Sequence, residues 1–326
     1  MKATPLIILI MTCWMLIYTN SDMLKYSANY QSMSSSPSSP PSSMGPQITI
    51  ITGVSYNHFC PLHNLIYHME SISSDLVVKP RIIIYDIGLR KYQYNALTAY
   101  QSKGYFSELR KFNFTKYPSF WNLQLPSRGH YAWKPAIVYE VSKDYPGELL
   151  LWVDSETLIS KEFLNEIPFW SDMFNGFVSP RSSGDVGLWT HPGVFQYFND
   201  SRKKYLYENN CNGAALLFNT NKTQHLIDAW YKCALVKDCI APRGSNRTNH
   251  RQDQSIITYL ALRDNRKCNY EKSFFKIDTH KKRGCYEKVL EYEKINGNVW
   301  TPSQEDLKEI SKLKYKKKVD IWTMDI

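Results

Sequence analysis

The sequence contains neither of the two glycine-rich motifs by which many α/β proteins bind phosphate. It has no G-x-G-x-x-G, which argues against a Rossmann dinucleotide cofactor, and no G-x-x-x-x-G-K-S/T, which argues against a P-loop. No C-x-x-C pair suggests zinc, and no recognisable nucleic-acid module accompanies the formal charge of +10. We therefore expect no nucleic-acid partner, and the charge suits an anionic partner such as a phosphorylated small molecule.

One long hydrophobic run is present, at the amino terminus. Residues 5–18 are apolar apart from Thr12 and follow the single cation Lys2. At 1.5 Å per residue the run spans about 21 Å, which is short for a bilayer core of about 30 Å, so a signal peptide and a membrane anchor both stay open. Because no persuasive Ala-x-Ala cleavage site follows, we expect an uncleaved signal-anchor at residues 1–20, with the remainder in the lumen.

A Ser/Pro-rich segment separates this run from the rest of the chain. It has no apolar face to bury, which predicts an extended stalk at residues 21–46 or, alternatively, a disordered linker. Both interpretations set a domain boundary near Gln47. The chain of 326 residues is 43% hydrophobic and can fill one large α/β core, which we expect at residues 47–290, before a basic extension at residues 291–326.

Apolar runs and helical patterns alternate after this boundary, as they do in βαβ units. The patterns predict strands at residues 48–53, 81–85, 106–114 and 149–153. They predict helices that begin near Pro61, that cover residues 135–143 and 223–234, and that follow Asn249 as an N-cap. The predicted fold class is therefore α/β, with a mostly parallel sheet flanked by helices.

The predicted strand at residues 149–153 is an unbroken apolar run, typical of a strand buried on both faces of a sheet. Asp154 and Glu156 follow it directly, and carboxylates are costly to bury unless something ionic meets them. In extended backbone, Asp-x-Glu points both side chains the same way, so that their oxygens can converge on one hard cation. The spacing predicts a divalent metal site, and the alternative is a turn that carries two solvated acids.

Other polar residues follow the predicted strands or precede a helix. Ligands bind at the carboxyl ends of the strands of open α/β sheets, so Thr52, Gly53, Tyr56 and Asp86 are candidate nucleotide contacts. Lys134 comes just before a predicted helix, where it would reach a diphosphate, although a solvated lysine at a helix start is the commoner case.

Two acid–base candidates occur nearer the carboxyl terminus. Asp253 falls on the apolar face of the helix that we expect after Asn249, so it either belongs to a buried hydrogen-bond network or projects into a site. His280 stands beside Lys281 and Lys282. A histidine there is most often a surface residue, but an imidazole next to cations suits a metal-bound diphosphate.

Cysteine use fits an oxidising compartment. Cys13 lies in the hydrophobic run, and the six others are Cys60, Cys211, Cys233, Cys239, Cys268 and Cys285. An even number beyond the run fits three disulfides, for which fifteen pairings are possible. Only Cys233 with Cys239 is local enough to be predicted as a pair.

Taken in order, these landmarks resemble the GT-A-fold nucleotide-sugar glycosyltransferases, in particular the glycogenin-like branch. The shared motifs are Thr52-Gly53, the YDIGL at residues 85–89, Asp154-x-Glu156, Asn212-Gly213-Ala214 and Arg251-Gln252-Asp253-Gln254. YDIGL, YAWKP and the RQDQ helix are most similar to a group of animal type II membrane proteins that is common in nematodes.

The resemblance implies a metal-dependent, hexosyltransferase-like enzyme that moves a sugar from a nucleotide-diphosphate donor to a glycan or glycoprotein acceptor. It implies Asp154, Glu156 and His280 as ligands of Mn²⁺ or Mg²⁺, with Asp154 also on the donor ribose. The resemblance also implies that Lys281 or Lys282 contacts the diphosphate and that Asn212 contacts the donor sugar. It implies Asp253 and Gln254 as the catalytic pair between the donor sugar and the acceptor. The family usually has Asp where Glu156 stands, and the context of its terminal histidine is absent here.

The anchor and the resemblance together predict a single-pass type II protein of the Golgi membrane with a lumenal catalytic domain, or a secreted protein if the signal is cleaved. Two other functions stay open. A lumenal relative that binds glycans or proteins without catalysis would keep Asp154 and Glu156 only as vestiges. A nucleotidyltransferase is less favoured, because it would normally be cytosolic and carry a glycine-rich amino-terminal loop. The donor sugar, the acceptor and the stereochemistry are left open.

Overall fold

The computed structural model describes residues 46–280, 285–296, 303–305 and 308. The predicted signal-anchor, nearly all of the predicted stalk and most of the basic extension lie outside the described residues, and so do Lys281 and Lys282. Within the described part, no helix has the length and apolar character needed to cross a membrane.

Strands and helices alternate along the described chain. The strands are β1 (Ile48–Val54), β2 (Arg81–Asp86), β3 (Glu108–Lys111), β4 (Leu149–Val153), β5 (Leu158–Ile159), β6 (Phe177–Val178), β7 (Arg181–Asp185), β8 (Asn209–Cys211), β9 (Ala215–Asn219) and β10 (Ile277–Asp278). The helices are α1 (Phe59–Ser71), α2 (Lys91–Ser102), α3 (Trp133–Asp144), α4 (Lys161–Met173), α5 (Val186–Trp189), α6 (Pro192–Tyr197), α7 (Thr220–Ala234), α8 (Lys237–Ile240), α9 (Asp253–Arg263) and α10 (Cys285–Asn296).

The central sheet has six strands, in the order β3-β2-β1-β4-β9-β6. The strand β1 pairs in parallel with β2 and β4, and β2 pairs in parallel with β3. The strand β9 runs antiparallel to both β4 and β6, so it is the one reversed strand of this sheet. The sheet is therefore mostly parallel, as predicted. Its topology brings the carboxyl ends of β1, β2 and β4 to the same edge as the amino end of β9.

Both faces of the sheet are covered, which explains the uninterrupted apolar run of β4. Alternate side chains of a strand point to opposite faces, so Leu150 and Trp152 pack with α3, α7 and α9, whereas Leu149, Leu151 and Val153 pack with α1, α2 and α4. All five side chains are buried. Full burial of one such side chain stabilises the fold by about 1.5–3 kcal/mol, so β4 is fixed firmly beneath the acids that follow it.

Two local predictions were wrong, and one helix was missed. The strand expected at residues 106–114 is confined to β3, because the chain leaves the sheet at Phe112 and turns into short 3₁₀ segments. The helix α2 was not predicted, since its buried face uses tyrosine and alanine among polar residues. Asn249 is not the N-cap of α9, which begins four residues later, after Gln252; the Asn249 side chain instead accepts a hydrogen bond from the backbone N–H of Asn246 at 2.8 Å.

Three disulfides join the described cysteines. Cys233–Cys239 is the pair predicted from sequence, and its Cα atoms are 5.2 Å apart. The two other pairs are Cys211–Cys268 and Cys60–Cys285. The last one connects α1 to α10 across 225 residues of sequence.

Candidate active site

A cleft of about 640 Å³ opens at the edge where β1, β2 and β4 end and β9 begins. Its lining includes the residues that follow β1 and β2, the turn at residues 154–156, the turn at residues 212–214, and the start of α9. The parallel order of the strands brings these distant parts of the chain together. Most of the polar residues singled out in the sequence lie in this one cleft.

A buried cation lies at the centre of the cleft. The ammonium of Lys134 is 3.0 Å from Asp154 Oδ1 and 3.1 Å from Asp253 Oδ2, and it donates to the carbonyl oxygen of Gly213 at 3.0 Å. The side chains of Lys134 and Asp253 are 5% and 7% exposed, whereas that of Asp154 is 36% exposed. The carbonyl of Gly213 takes one of the three N–H groups of the ammonium, whereas Asp253 Oδ2 lies within ion-pair distance but has no hydrogen-bond partner among the described residues.

Burial and neighbouring charge shift the pKa values of Lys134 and Asp253 in opposite directions. Burial by itself would lower the pKa of Lys134, but the carboxylates of Asp154 and Asp253 outweigh burial and hold that pKa above its ordinary value. Burial raises the pKa of Asp253, and the nearby Lys134 ammonium only partly offsets this effect. Lys134 therefore serves as the counter-ion that two neighbouring carboxylates need in a dry part of the cleft.

The start of α3 positions Lys134 because Trp133 packs beside it over β1. A Cβ atom on Gly53 would lie 3.0 Å from Trp133 Cζ3 and 3.3 Å from a ring carbon of Trp152, so a larger residue at position 53 would push these rings away. Gly53 does line the cleft, as the nucleotide-contact prediction requires. Its lack of a side chain also has a packing reason that the sequence did not reveal.

The backbone after β4 is a turn rather than the extended segment that we expected. The N–H of Thr157 donates to the carbonyl of Asp154 at 2.9 Å, so the two carboxylates of the Asp-x-Glu motif take different partners. Asp154 accepts from the indole N–H of Trp152 at 2.8 Å, in addition to its contact with Lys134. The carboxylate of Glu156 lies between two imidazoles instead, 3.1 Å from His58 Nε2 and 3.8 Å from His280 Nδ1.

The two imidazoles keep Glu156 ionised. His280 and His58 together hold the pKa of Glu156 well below its usual range, although partial burial opposes them. The same interaction with Glu156 raises the pKa of His280. The predicted metal residues Glu156 and His280 are therefore neighbours, and His58 is a third member of the group that the sequence analysis did not single out.

The donor set around Glu156 fits a divalent cation by its chemistry. Carboxylate oxygen and imidazole nitrogen are both common ligands of divalent metals, and carboxylates suit Mn²⁺ and Mg²⁺. Among the residues that the structure describes, however, no three His, Cys, Asp or Glu side chains already form a metal-binding group.

The other predicted donor residues have distinct surroundings. Tyr56 and Gln254 line the cleft, and so does Asn212, whose side chain accepts from the backbone N–H of Ala214 at 3.0 Å. Thr52 is fully buried, and neither Thr52 nor Asp86 belongs to the cleft lining.

The carboxylate of Asp86 has a local structural role. Its Oδ1 accepts from the backbone N–H groups of Gly88 and Leu89 at 2.8 and 2.7 Å. These two bonds shape the turn after β2, and that turn presents Ile87 and Gly88 to the cleft. Asp86 therefore supports the wall of the cleft rather than lining it.

The sequence analysis missed part of the cleft that carries aromatic and basic side chains. These residues are Arg128, Tyr131, Trp189, Arg247 and Arg251. Of them, Tyr131 stood in the YAWKP motif quoted above and Arg251 in the RQDQ motif, two residues before Asp253, but neither was singled out as a site residue. Trp189 ends the four-residue helix α5, Arg128 lies in a short 3₁₀ segment and Arg247 lies in a loop, and all three stretches are too short or too irregular for a periodic pattern to mark them.

No protein-family model matches the chain, and no curated protein is significantly similar to it in sequence. Among solved structures, the galactosyltransferase LgtC in complex with donor and acceptor sugar analogs is 15% identical, with 79% of this chain and 98% of that chain covered and a TM-score of 0.44. The mannosyltransferase Ktr4p from S. cerevisiae in complex with GDP is 8% identical over 69% of this chain and 71% of its own, with a TM-score of 0.44. Mouse xyloside xylosyltransferase 1 is 11% identical over 67% of this chain and 82% of its own, with a TM-score of 0.36. Likeness at these identities and TM-scores does not assign an activity to this chain.

Proposed function

We propose that this protein is a metal-dependent glycosyltransferase that moves a sugar from a nucleotide-diphosphate donor to a glycan or glycoprotein acceptor. The observation that carries the proposal is that Asp154, Glu156, Asp253 and His280 meet in one cleft although they come from distant parts of the chain. The cleft lies at the strand edge where open α/β sheets bind their ligands.

Glu156 and His280, with Asp154, are the residues that would hold Mn²⁺ or Mg²⁺. When bound, such a cation would stabilise the negative charge that develops on the leaving diphosphate. Glu156 is suited to this role because its two imidazole neighbours keep it ionised. His58 would orient Glu156 from the side of β1, at 3.1 Å. Lys281 and Lys282 lie outside the described residues and remain proposed contacts of the diphosphate.

The cleft's own residues would position the sugars. Lys134 holds the carboxylates of Asp154 and Asp253 together, and Asp253 and Gln254 present an acid and an amide at the start of α9. A carboxylate and an amide side by side can bind neighbouring sugar hydroxyls, since one accepts hydrogen bonds and the other also donates them. A contact of Lys134 with the diphosphate would require it to exchange one of its present partners.

Variants of Asp154 and Glu156 test the proposal. Asp154→Asn and Glu156→Gln keep side-chain volume and remove charge, so folding should persist while activity falls by about 10³-fold. The measurements are thermal unfolding and Mn²⁺-dependent hydrolysis of a panel of nucleotide-sugars by the full chain. Asp172→Asn is the matched control, because Asp172 is exposed and pairs with Lys222 away from the cleft.

Two results would count against the proposal. Folded variants with near-normal, metal-independent activity would remove the metal site from the mechanism. A wild-type protein that hydrolyses no nucleotide-sugar in the panel, with or without Mn²⁺, would favour the lumenal binding protein that the sequence left open.

We also propose that the chain is a single-pass type II protein of the Golgi membrane, anchored by residues 1–20, with residues after about 46 in the lumen. The hydrophobic run and the three disulfides support this location, because disulfides persist in oxidising compartments. Expression in animal cells followed by endoglycosidase treatment tests it. Absence of a mobility shift, together with protease access from the cytosolic side, would contradict it, and a processed, soluble product would indicate secretion instead.

A further inference from the structure

Three arginines line the cleft, namely Arg128, Arg247 and Arg251, and we call them the arginine wall. The carboxylates of the cleft are instead engaged by Lys134 or the imidazoles. Among the residues that the structure describes, no salt bridge involves any member of the wall. Three positive charges thus line the cleft, and none of the described carboxylates lies within ion-pair distance of them.

Aromatic rings hold two of the guanidinium groups in place. The guanidinium carbon of Arg251 lies 3.8 Å from the ring centre of Trp189. Arg247 donates to the hydroxyl of Tyr131 at 2.6 Å, and its guanidinium carbon lies 5.5 Å from the centre of the same ring. Stacking on a ring orients a guanidinium but leaves its charge and most of its N–H groups available.

The wall is electrostatically unfavourable as it stands. Burial and the like charge of Arg247 both lower the pKa of Arg251, and the only opposing influence is the weak one of Tyr131. The charged group that lowers the pKa of Arg251 is therefore Arg247. The carboxylates of Asp154, Asp253 and Glu156 do not contribute to this shift. An anion bound between Arg247 and Arg251 would relieve this repulsion.

The backbone beside the arginine wall is strained, and two of the strained residues line the cleft. Residues 128–131 all have positive φ angles, 50° at Arg128, 63° at Gly129, 53° at His130 and 55° at Tyr131. Such angles cost non-glycine residues about 1–3 kcal/mol each and tend to persist at functional sites. Gly129 is required here, since a Cβ atom would collide with the backbone carbonyl of Trp121. The strained segment presents Arg128 and Tyr131 to the cleft.

We propose that the arginine wall binds an acidic group on the acceptor, so that the acceptor is a glycan that carries carboxylate or sulfate groups. This inference rests on the proposed glycosyltransferase function and specifies its substrate. Planar guanidinium groups match carboxylate and sulfate oxygens with paired hydrogen bonds. Arg251 comes two residues before Asp253, so an acidic group on the wall would bring its sugar next to Asp253 and Gln254. The residues proposed to hold the donor's metal, Glu156 and His280, are different members of the cleft lining.

Binding measurements with three oligosaccharides test the inference. Calorimetry on the full chain would compare a chondroitin sulfate tetrasaccharide, its chemically desulfated form, which keeps the carboxylates, and a neutral chitin tetrasaccharide. We expect both acidic probes to bind at least about 10-fold more tightly than the neutral one, because hydrogen bonds to charged groups are worth about 1.5–3 kcal/mol. The ratio between the two acidic probes shows whether sulfate or carboxylate is the recognised group.

Variants locate the binding. Arg251→Gln and Arg247→Gln should each weaken binding of the acidic probes by about 10-fold or more. Arg251→Lys keeps the charge but loses the planar pair of donors, so it should fall between wild type and Arg251→Gln. Arg243→Gln is the matched control, because Arg243 is an exposed arginine of the same loop that does not line the cleft. It should bind the acidic probes as wild type does, and thermal unfolding would check that every variant is folded.

Each outcome either supports or overturns the inference. Equal affinity for acidic and neutral probes would refute it, and so would equal losses in the Arg243 and Arg251 variants, which would indicate unspecific attraction. Tighter binding of an acidic peptide than of either acidic glycan would refute it in favour of a protein partner. Donor hydrolysis without acceptor separates the two proposals: hydrolysis without acidic-glycan binding overturns only the inference. Acidic-glycan binding through Arg251 without hydrolysis overturns only the transferase.

Discussion

Replacing Lys134 by methionine should destabilise the protein more than any comparable change at its surface. The substitution keeps a long side chain but removes the ammonium that lies about 3 Å from both Asp154 and Asp253. Asp253 is 7% exposed, and removal of one partner from a buried ion pair costs about 3–5 kcal/mol. Asp154 is partly solvated and should contribute little to this loss.

Urea unfolding measures the loss in the free energy of unfolding. A double variant then shows whether the loss comes from the pair of Lys134 and Asp253. In a parallel thermal scan, a loss of this size should lower Tm by about 2–4 °C per kcal/mol in a domain of this size. If the loss arises from the uncompensated charge of Asp253, then adding Asp253→Asn to Lys134→Met should restore at least about 1 kcal/mol relative to the sum of the single changes.

The same helix offers a matched control. Lys143 also lies in α3 and also contacts a carboxylate at 3.1 Å, that of Asp228, but the two side chains are 45% and 35% exposed. Exposed pairs contribute about 0–1 kcal/mol, so Lys143→Met should have a small effect. Equal effects of Lys134→Met and Lys143→Met, or no recovery in the double variant, would refute the view that Lys134 is a buried counter-ion.

Two further predictions concern stability. Burial lowers the pKa of His63 to about 3, so the unfolded chain binds a proton more readily than the folded one, and stability should fall as the pH drops from about 6.5 towards 3, by up to about 1.4 kcal/mol per pH unit. Urea midpoints for wild type and His63→Gln check this, and identical pH slopes would contradict it. On chain-entropy grounds, loss of Cys60–Cys285 should cost about 5 kcal/mol and loss of Cys233–Cys239 about 2 kcal/mol. Paired serine variants should show that order, and the reverse order would count against the entropic explanation.

The sequence predicted those parts of the fold that local patterns determine. The apolar runs identified β1, β2 and β4, and the helical spacing identified α1, α3 and α7. The acids after β4 and Gly53 near the end of β1 were expected at one edge because parallel strands end together. This argument needs only strand order and direction, which explains why Asp154 and Glu156 could be named in advance, whereas His58 and the arginines of the cleft could not.

The contacts inside the cleft depend on long-range register, which no local pattern contains. Lys134 meets Asp253 across 119 residues, and only the packing of α3 and α9 against the same face of the sheet brings them together. The reversal of β9 was not visible either, because a buried apolar strand looks the same in both directions. The turn at Asp154 separated two carboxylates that an extended backbone would have aligned.

The reversed strand β9 has a consequence for how this site can be mapped by mutagenesis. Because β9 starts where β4 ends, it delivers the main-chain oxygen of Gly213 to Lys134, beside two side-chain carboxylates. A residue-by-residue substitution scan would detect the carboxylates of Asp154 and Asp253. It would not detect the carbonyl of Gly213 as the third partner of Lys134, since every amino acid carries the same carbonyl. Its importance would surface only as intolerance of larger residues at Gly213, where a Cβ atom would already lie 3.2 Å from Gln254 Cβ.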